Sequence, residues 1–119
     1  MYVCMAETYD LEPAVPVGFR FTVHMHTGAL IEARWRRWLR LDPVRLVKKY
    51  ADNLRSLRGL YLDCGWRDQY HIHFGTRQLS RQMSDHRIAH RHEEFNGTHS
   101  GIDDRMDISL PFLYRALKP

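Results

Sequence analysis

The sequence predicts an α/β fold whose second half alternates strand and helix. Three observations carry this expectation. "LYLDC" (60–64) and "AHRHEEF" (89–95) are runs of strand length. "HFGTRQLSRQMSDH" (73–86), between them, spaces Leu79 and Met83 as one helical face does. "IDDRMDISLPFLYRAL" (102–117) follows with a second helical pattern. Strand, helix, strand, helix is a βαβ unit with a trailing helix, and a helical crossover makes the two strands parallel. Two buried parallel strands are not a whole sheet, because their faces and edges need cover. The chain therefore reads as the C-terminal portion of a larger α/β domain. Residues 1–119 form one partial domain, with an irregular segment and helical insert at 1–58 and the terminal βαβα unit at 59–119.

The elements follow in order. Residues 1–28 scatter Pro13, Pro16, glycine and aromatics without a sustained period, so irregular connection is expected, with one short extended piece at "FRFTVHM". "ALIEARWRRWL" places apolar residues at 31, 35, 38 and 39, a helical stripe. Trp35 and Trp38 with interleaved Arg resemble a membrane-active pattern, but core-facing Trp with outward Arg explains so short a segment better. Asp42 and Pro43 suit a helix start, since Asp caps free N–H groups and Pro fits the first turn. The helix they open runs to about Leu57 with a break near Ala51, and Gly59 ends it. "LYLDC" between Gly59 and Gly65 suits a strand buried on both faces. In the last helix the expected inward stripe is Met106, Leu110, Leu113 and Leu117. Asp103 and Asp104 favour the positive end of its dipole, and Pro111 should kink it.

Composition narrows the function classes. The 119 residues are 44% hydrophobic and 12% aromatic, enough for a packed core. No apolar run approaches bilayer-spanning length, and the N-terminus lacks the basic and apolar regions of a signal peptide. A cytoplasmic protein is expected. Cys4 and Cys64 match no CxxC spacing and read as reduced, buried thiols. The net charge of +4 is concentrated in residues 31–60, where nine Lys and Arg face three acids. A solvated helix face accounts for this stripe, and neither nucleic acid nor membrane is expected as a partner.

In open α/β sheets, ligands and catalysis gather beyond the carboxyl ends of the strands. Two loops leave such ends here. One, "GWRD", carries Asp68; the other, "GTHSG" (97–101), carries His99. A carboxylate beside an imidazole accepts its Nδ1–H, fixes the tautomer and stabilises the imidazolium formed in base catalysis. The stretch from Gly59 to Leu117 resembles the C-terminal end of an α/β-hydrolase esterase, closest to the group that includes esterase D and the enterochelin-esterase-like enzymes. The resemblance extends back to about residue 27 through "TGALIEARWRRWLRLDPVRL", similar to an insert these esterases carry. It implies an α/β-hydrolase sheet, a small-molecule ester substrate, Asp68 as triad acid and His99 as triad base, with no cofactor and no metal. Asp63 competes with Asp68 for the acid, but lies in or at the tip of the strand, where a carboxylate is costly unless paired.

The sequence departs from that family in one large respect. Family order is Ser, then Asp, then His. None of Ser56, Ser80, Ser84, Ser100 and Ser109 lies in Gly-x-Ser-x-Gly. "GTHSG" has the frame of such an elbow with His99 at its centre, but too little chain follows to supply an acid and a base. Its glycines permit a tight turn that presents His99. The implied function is a serine-esterase fragment that holds acid and base while the serine is missing, and that is inactive by itself. One alternative is a non-catalytic fragment that self-associates through exposed sheet surface or docks on a partner. Another is a metal-binding protein, from the pairs His24/His26, His71/His73 and His90/His92.

Overall fold

A computed structural model describes residues 2–118. The chain forms two compact units, Met1–Leu46 and Val47–Pro119.

The first unit is built on aromatic packing. Helix α1 (Tyr2–Tyr9) occupies a stretch whose sequence shows no helical period. Packing supplies what the pattern lacks. Ala6 is fully buried, and the rings of Tyr2 and Tyr9 lie 5.5 and 5.6 Å from that of Trp38 on α2 (Glu32–Leu39). Trp38 is buried, so this indole belongs to a core and its arginine neighbours point outward. The Tyr2 hydroxyl accepts the backbone N–H of buried Thr22 at 3.1 Å and lies 2.6 Å from its Oγ1. Residues 11–30 carry two antiparallel bridges, Leu11 with Phe19 and Val23 with Leu30. Helix α3 (Pro43–Leu46) is capped by the Asp42 carboxylate, which accepts the Val44 N–H at 3.0 Å.

The second unit is a mixed helix–strand layer structure. After α4 (Ala51–Arg55) come β1 (Tyr61–Gly65), α5 (Ile72–Asp85), β2 (Arg91–Phe95), a 3₁₀ turn (Asp103–Arg105) and α6 (Met106–Leu117). The strands pair in parallel, Tyr61 opposite Arg91 and Gly65 opposite Phe95. Side chains alternate across this sheet. Leu62 points to one face and joins Leu54, Leu60 and Leu79 around buried Val47, Ala51, Met83 and Ile88. Tyr61 points to the other, where its ring lies 5.5 Å from Phe112 of α6. The two helices thus cover opposite faces of the sheet.

Helix α5 ends in a Schellman motif. The Ile88 N–H reaches back to the Met83 carbonyl at 2.9 Å and the Arg87 N–H to Ser84 at 2.9 Å. Arg87 takes the left-handed conformation (φ 56°) that glycine usually fills. Ile88 and Met83, brought together by this turn, are both buried in the core.

Two expectations are corrected. Of the stripe Met106, Leu110, Leu113 and Leu117, only Leu113 turns inward; the other three are exposed. The packed face is Ile108, Phe112, Leu113 and Ala116, fixed by Phe112 on Tyr61 and by the approach of Ala116 to Gly59. Of the two thiols, Cys64 is buried but Cys4 is exposed. Helix α6 continues through Pro111.

Met83→Ala, a cut into the centre of the second core, is expected to cost about 2–5 kcal/mol in chemical denaturation. Leu110→Ala, on the exposed face of α6, should stay within about 0.5 kcal/mol.

Candidate active site

Parallel strands end side by side, so the loops that leave them are neighbours. Here they are also stitched together. The Trp66 N–H donates to the Phe95 carbonyl and the Arg67 N–H to the Gly97 carbonyl, both at 3.0 Å. Gly65 packs directly on the Gly97 peptide, and a Cβ at residue 65 would collide with its carbonyl.

Beyond Gly65 the chain turns. The Asp68 N–H bonds the Gly65 carbonyl, and the His71 N–H bonds the Asp68 carbonyl, each at 3.0 Å. The Asp68 side chain folds into this turn and is only 2% exposed. Its Oδ1 accepts the N–H groups of Tyr70 (2.8 Å) and Ile72 (3.4 Å), the latter the first residue of α5. Its Oδ2 remains for His99, whose Nδ1 lies 2.9 Å away. The structure therefore brings Asp68 and His99 together across 31 residues of sequence.

Burial alone would raise the pKa of Asp68. The hydrogen bond from His99 and those from the Tyr70 and Ile72 N–H groups outweigh it, and the pKa is lowered. An ionised carboxylate only accepts hydrogen bonds, so the proton between the pair sits on His99 Nδ1. The ring is 45% exposed, and its Nε2 has no hydrogen-bond partner among the described residues.

Two neighbours that the sequence did not single out hold His99 in place. Gln69 Oε1 accepts its backbone N–H at 3.1 Å. The Tyr70 ring meets the imidazole edge-on, centroids 5.0 Å apart. Both directly follow Asp68, which was the only signal available, since adjacency to an acid says nothing about reach across a cleft.

The dyad opens on a cleft of about 170 Å³ lined by Cys64, Gly65, Ile72, Phe95, Thr98 and Ile102, together with Asp63. No serine lines it among the described residues. The Cys64 sulfur lies 4.0 Å from Asp68 Oδ2, and burial first, then the Asp68 charge, raises its pKa and keeps it a thiol.

Asp63, the rival acid, is held elsewhere. Arg105 Nε donates to its Oδ2 at 3.0 Å, while Nη2 of the same guanidinium bonds Glu93 (2.7 Å) and the Tyr61 hydroxyl (3.1 Å). Tyr61 donates to Glu93 at 2.7 Å and Arg91 adds a further bond to it. These partners, Tyr61 first and then Arg91 and Arg105, hold the Glu93 carboxyl at a pKa of about 2.

The histidine pairs sit in separate elements. His24 and His26 lie in a turn of the first unit. His71 and His73 sit at the start of α5 with rings 5.9 Å apart. His90 is engaged by Ser80 Oγ at 2.8 Å and by the Ile88 carbonyl at 2.9 Å. Among the described residues no three His, Cys, Asp or Glu side chains are grouped to hold a metal ion. Among the described residues no helix is long and apolar enough to cross a membrane. No family model matches the chain, and no curated protein matches it in sequence.

Glu93 and Asp68 have folded-state pKa values below their ordinary ones, so both stabilise the fold above the ordinary carboxylate range and lose that contribution on acidification. Stability of the second unit is expected to fall from about pH 4.5 towards about pH 2, the ordinary and folded values of Glu93. Denaturation midpoints measured across this window should drop less steeply for Glu93→Gln, which also starts from a lower stability at neutral pH.

Proposed function

We propose that the second unit is the acid–base end of a serine acyl-ester hydrolase of the α/β-hydrolase fold. In this reading Asp68 orients His99, and His99 activates a serine supplied from outside this chain. One observation carries it: a buried, ionised Asp68 holds Nδ1 of a half-exposed His99 at 2.9 Å, at the carboxyl ends of adjacent parallel strands. Support also comes from α5 and α6 lying on opposite faces of the sheet, as in open α/β sheets.

The chemistry follows from the tautomer. Nε2 carries a lone pair and can take the proton of a hydroxyl as that oxygen attacks an acyl carbon. Asp68 then faces an imidazolium, whose charge it stabilises. The proton passes from Nε2 to the leaving alcohol, and a water repeats the cycle on the acyl-enzyme. The substrate class is a small carboxylic ester, and the reading needs no cofactor, nucleic acid or membrane.

The test uses the assembly that contains the nucleophile. Its turnover of a short-chain ester should fall about 10⁴-fold for Asp68→Asn, which reverses the tautomer, and at least as far for His99→Ala. Full turnover by either variant overturns the reading.

A second reading, a non-catalytic piece that self-associates or docks on a partner, has its own observation. Met106, Leu110, Tyr114 and Leu117 form one stripe of α6 and are each at least half exposed. Light scattering should then show dimers or larger species that Leu110→Glu disperses. A monomer at high concentration excludes self-association.

A further inference from the structure

We infer that His99 is itself a nucleophile towards aryl esters, giving this chain an acyl-transfer activity of its own without a serine. The inference shares with the proposed hydrolase only the placement of Asp68 and His99.

Three observations point to it. The bond of Nδ1 to Asp68 Oδ2 at 2.9 Å keeps the proton on that nitrogen and leaves Nε2 with a free lone pair. The carboxylate end of the pair is 2% exposed while the ring is 45% exposed, so the accessible part of the imidazole is the part away from Asp68. The cleft beside it offers apolar walls, Ile72, Phe95 and Ile102, to an aryl or acyl group. Of the two thiols, Cys64 beside the cleft is buried, while Cys4 is exposed and belongs to the first unit, so the test takes Cys4→Ser as its parent. Histidine is among the side chains that form covalent intermediates in catalysis.

The steps balance without a further reagent. Nε2 attacks the ester carbonyl, the acyl–oxygen bond breaks, and the phenolate leaves with the electron pair. The acyl-imidazolium keeps its Nδ1 proton and is stabilised by the Asp68 charge. Water then attacks the acyl carbon and the C–N bond returns its pair to Nε2. The nascent acid gives up its extra proton to solvent, which balances the phenolate released earlier, and Nδ1 has kept its own. The sum is ester plus water giving carboxylic acid plus phenol. Alkyl esters are excluded, because an alkoxide is a poorer leaving group than imidazole and the adduct reverts.

The test is p-nitrophenyl acetate with the whole purified chain, followed by nitrophenolate release and by acid-quenched peptide mass spectrometry. The expected result is an acyl group on His99 in preference to the seven other histidines. His99→Ala should lower the rate about tenfold or more, an order of magnitude set by the gain from positioning beside a binding surface. Asp68→Asn should do the same with His99 intact, because an amide donor moves the ring proton to Nε2. His26→Ala, in the first unit, should keep the parent rate. If Asp68→Asn does not fold, the His99→Ala comparison and the site of labelling still decide. Equal rates for parent and His99→Ala, or label spread evenly over the histidines, overturn the inference. Either result leaves the hydrolase reading to its own test, which depends on the added serine.

Discussion

A parallel pair of strands must deliver both of its carboxyl ends to the same edge, and the candidate site depends on that constraint. β1 and β2 are only five residues each, yet they place a loop bearing a carboxylate beside a loop bearing an imidazole. The closeness is enforced by absence of side chain. Gly65 lies on the Gly97 peptide, where no other residue fits without moving the backbone. This lets the Arg67 N–H reach the Gly97 carbonyl and extends the strand pairing into the loops.

Around this edge the protein manages its charges by giving each one partners. Asp68 is nearly inaccessible, and a buried carboxylate is tolerable only when hydrogen bonds replace its water. Two backbone N–H groups and one imidazole do so, and they also commit both oxygens. On the α6 side, Arg105 binds Asp63, Glu93 and Tyr61 together and lies 4.6 Å from the Phe95 ring centroid. That network ties the 3₁₀ turn after the His99 loop to both strands. It gives Asp63 a structural task, which leaves Asp68 as the carboxylate that meets His99.

The outer surface of α6 has a different character. Its packed face satisfies the sheet, while Met106, Leu110, Tyr114 and Leu117 remain open. An apolar stripe at helical spacing reads as core in sequence, because periodicity reports that a face exists and not what covers it. Phe112 on Tyr61 and Arg105 on Asp63 set the rotation of this helix instead, and neither contact has a sequence-local signature.

The sequence alone determined the order of elements from residue 60 onward, because strand length, helical spacing and glycine punctuation are local properties. It also determined that Asp68 and His99 leave the carboxyl ends of parallel strands, since a helical crossover makes the strands parallel, while the direct pairing of those strands was decided by the fold. Tertiary structure alone decided α1, which a buried Ala6 and the Trp38 ring create without any period. It decided the rotation of α6, the pairing of Asp63 with Arg105, and the hold of Gln69 and Tyr70 on His99. Each of these is a contact between residues far apart in the chain or across a cleft. Its energy depends on distances that the fold sets, whereas spacing along a sequence records only what neighbouring residues impose on one another.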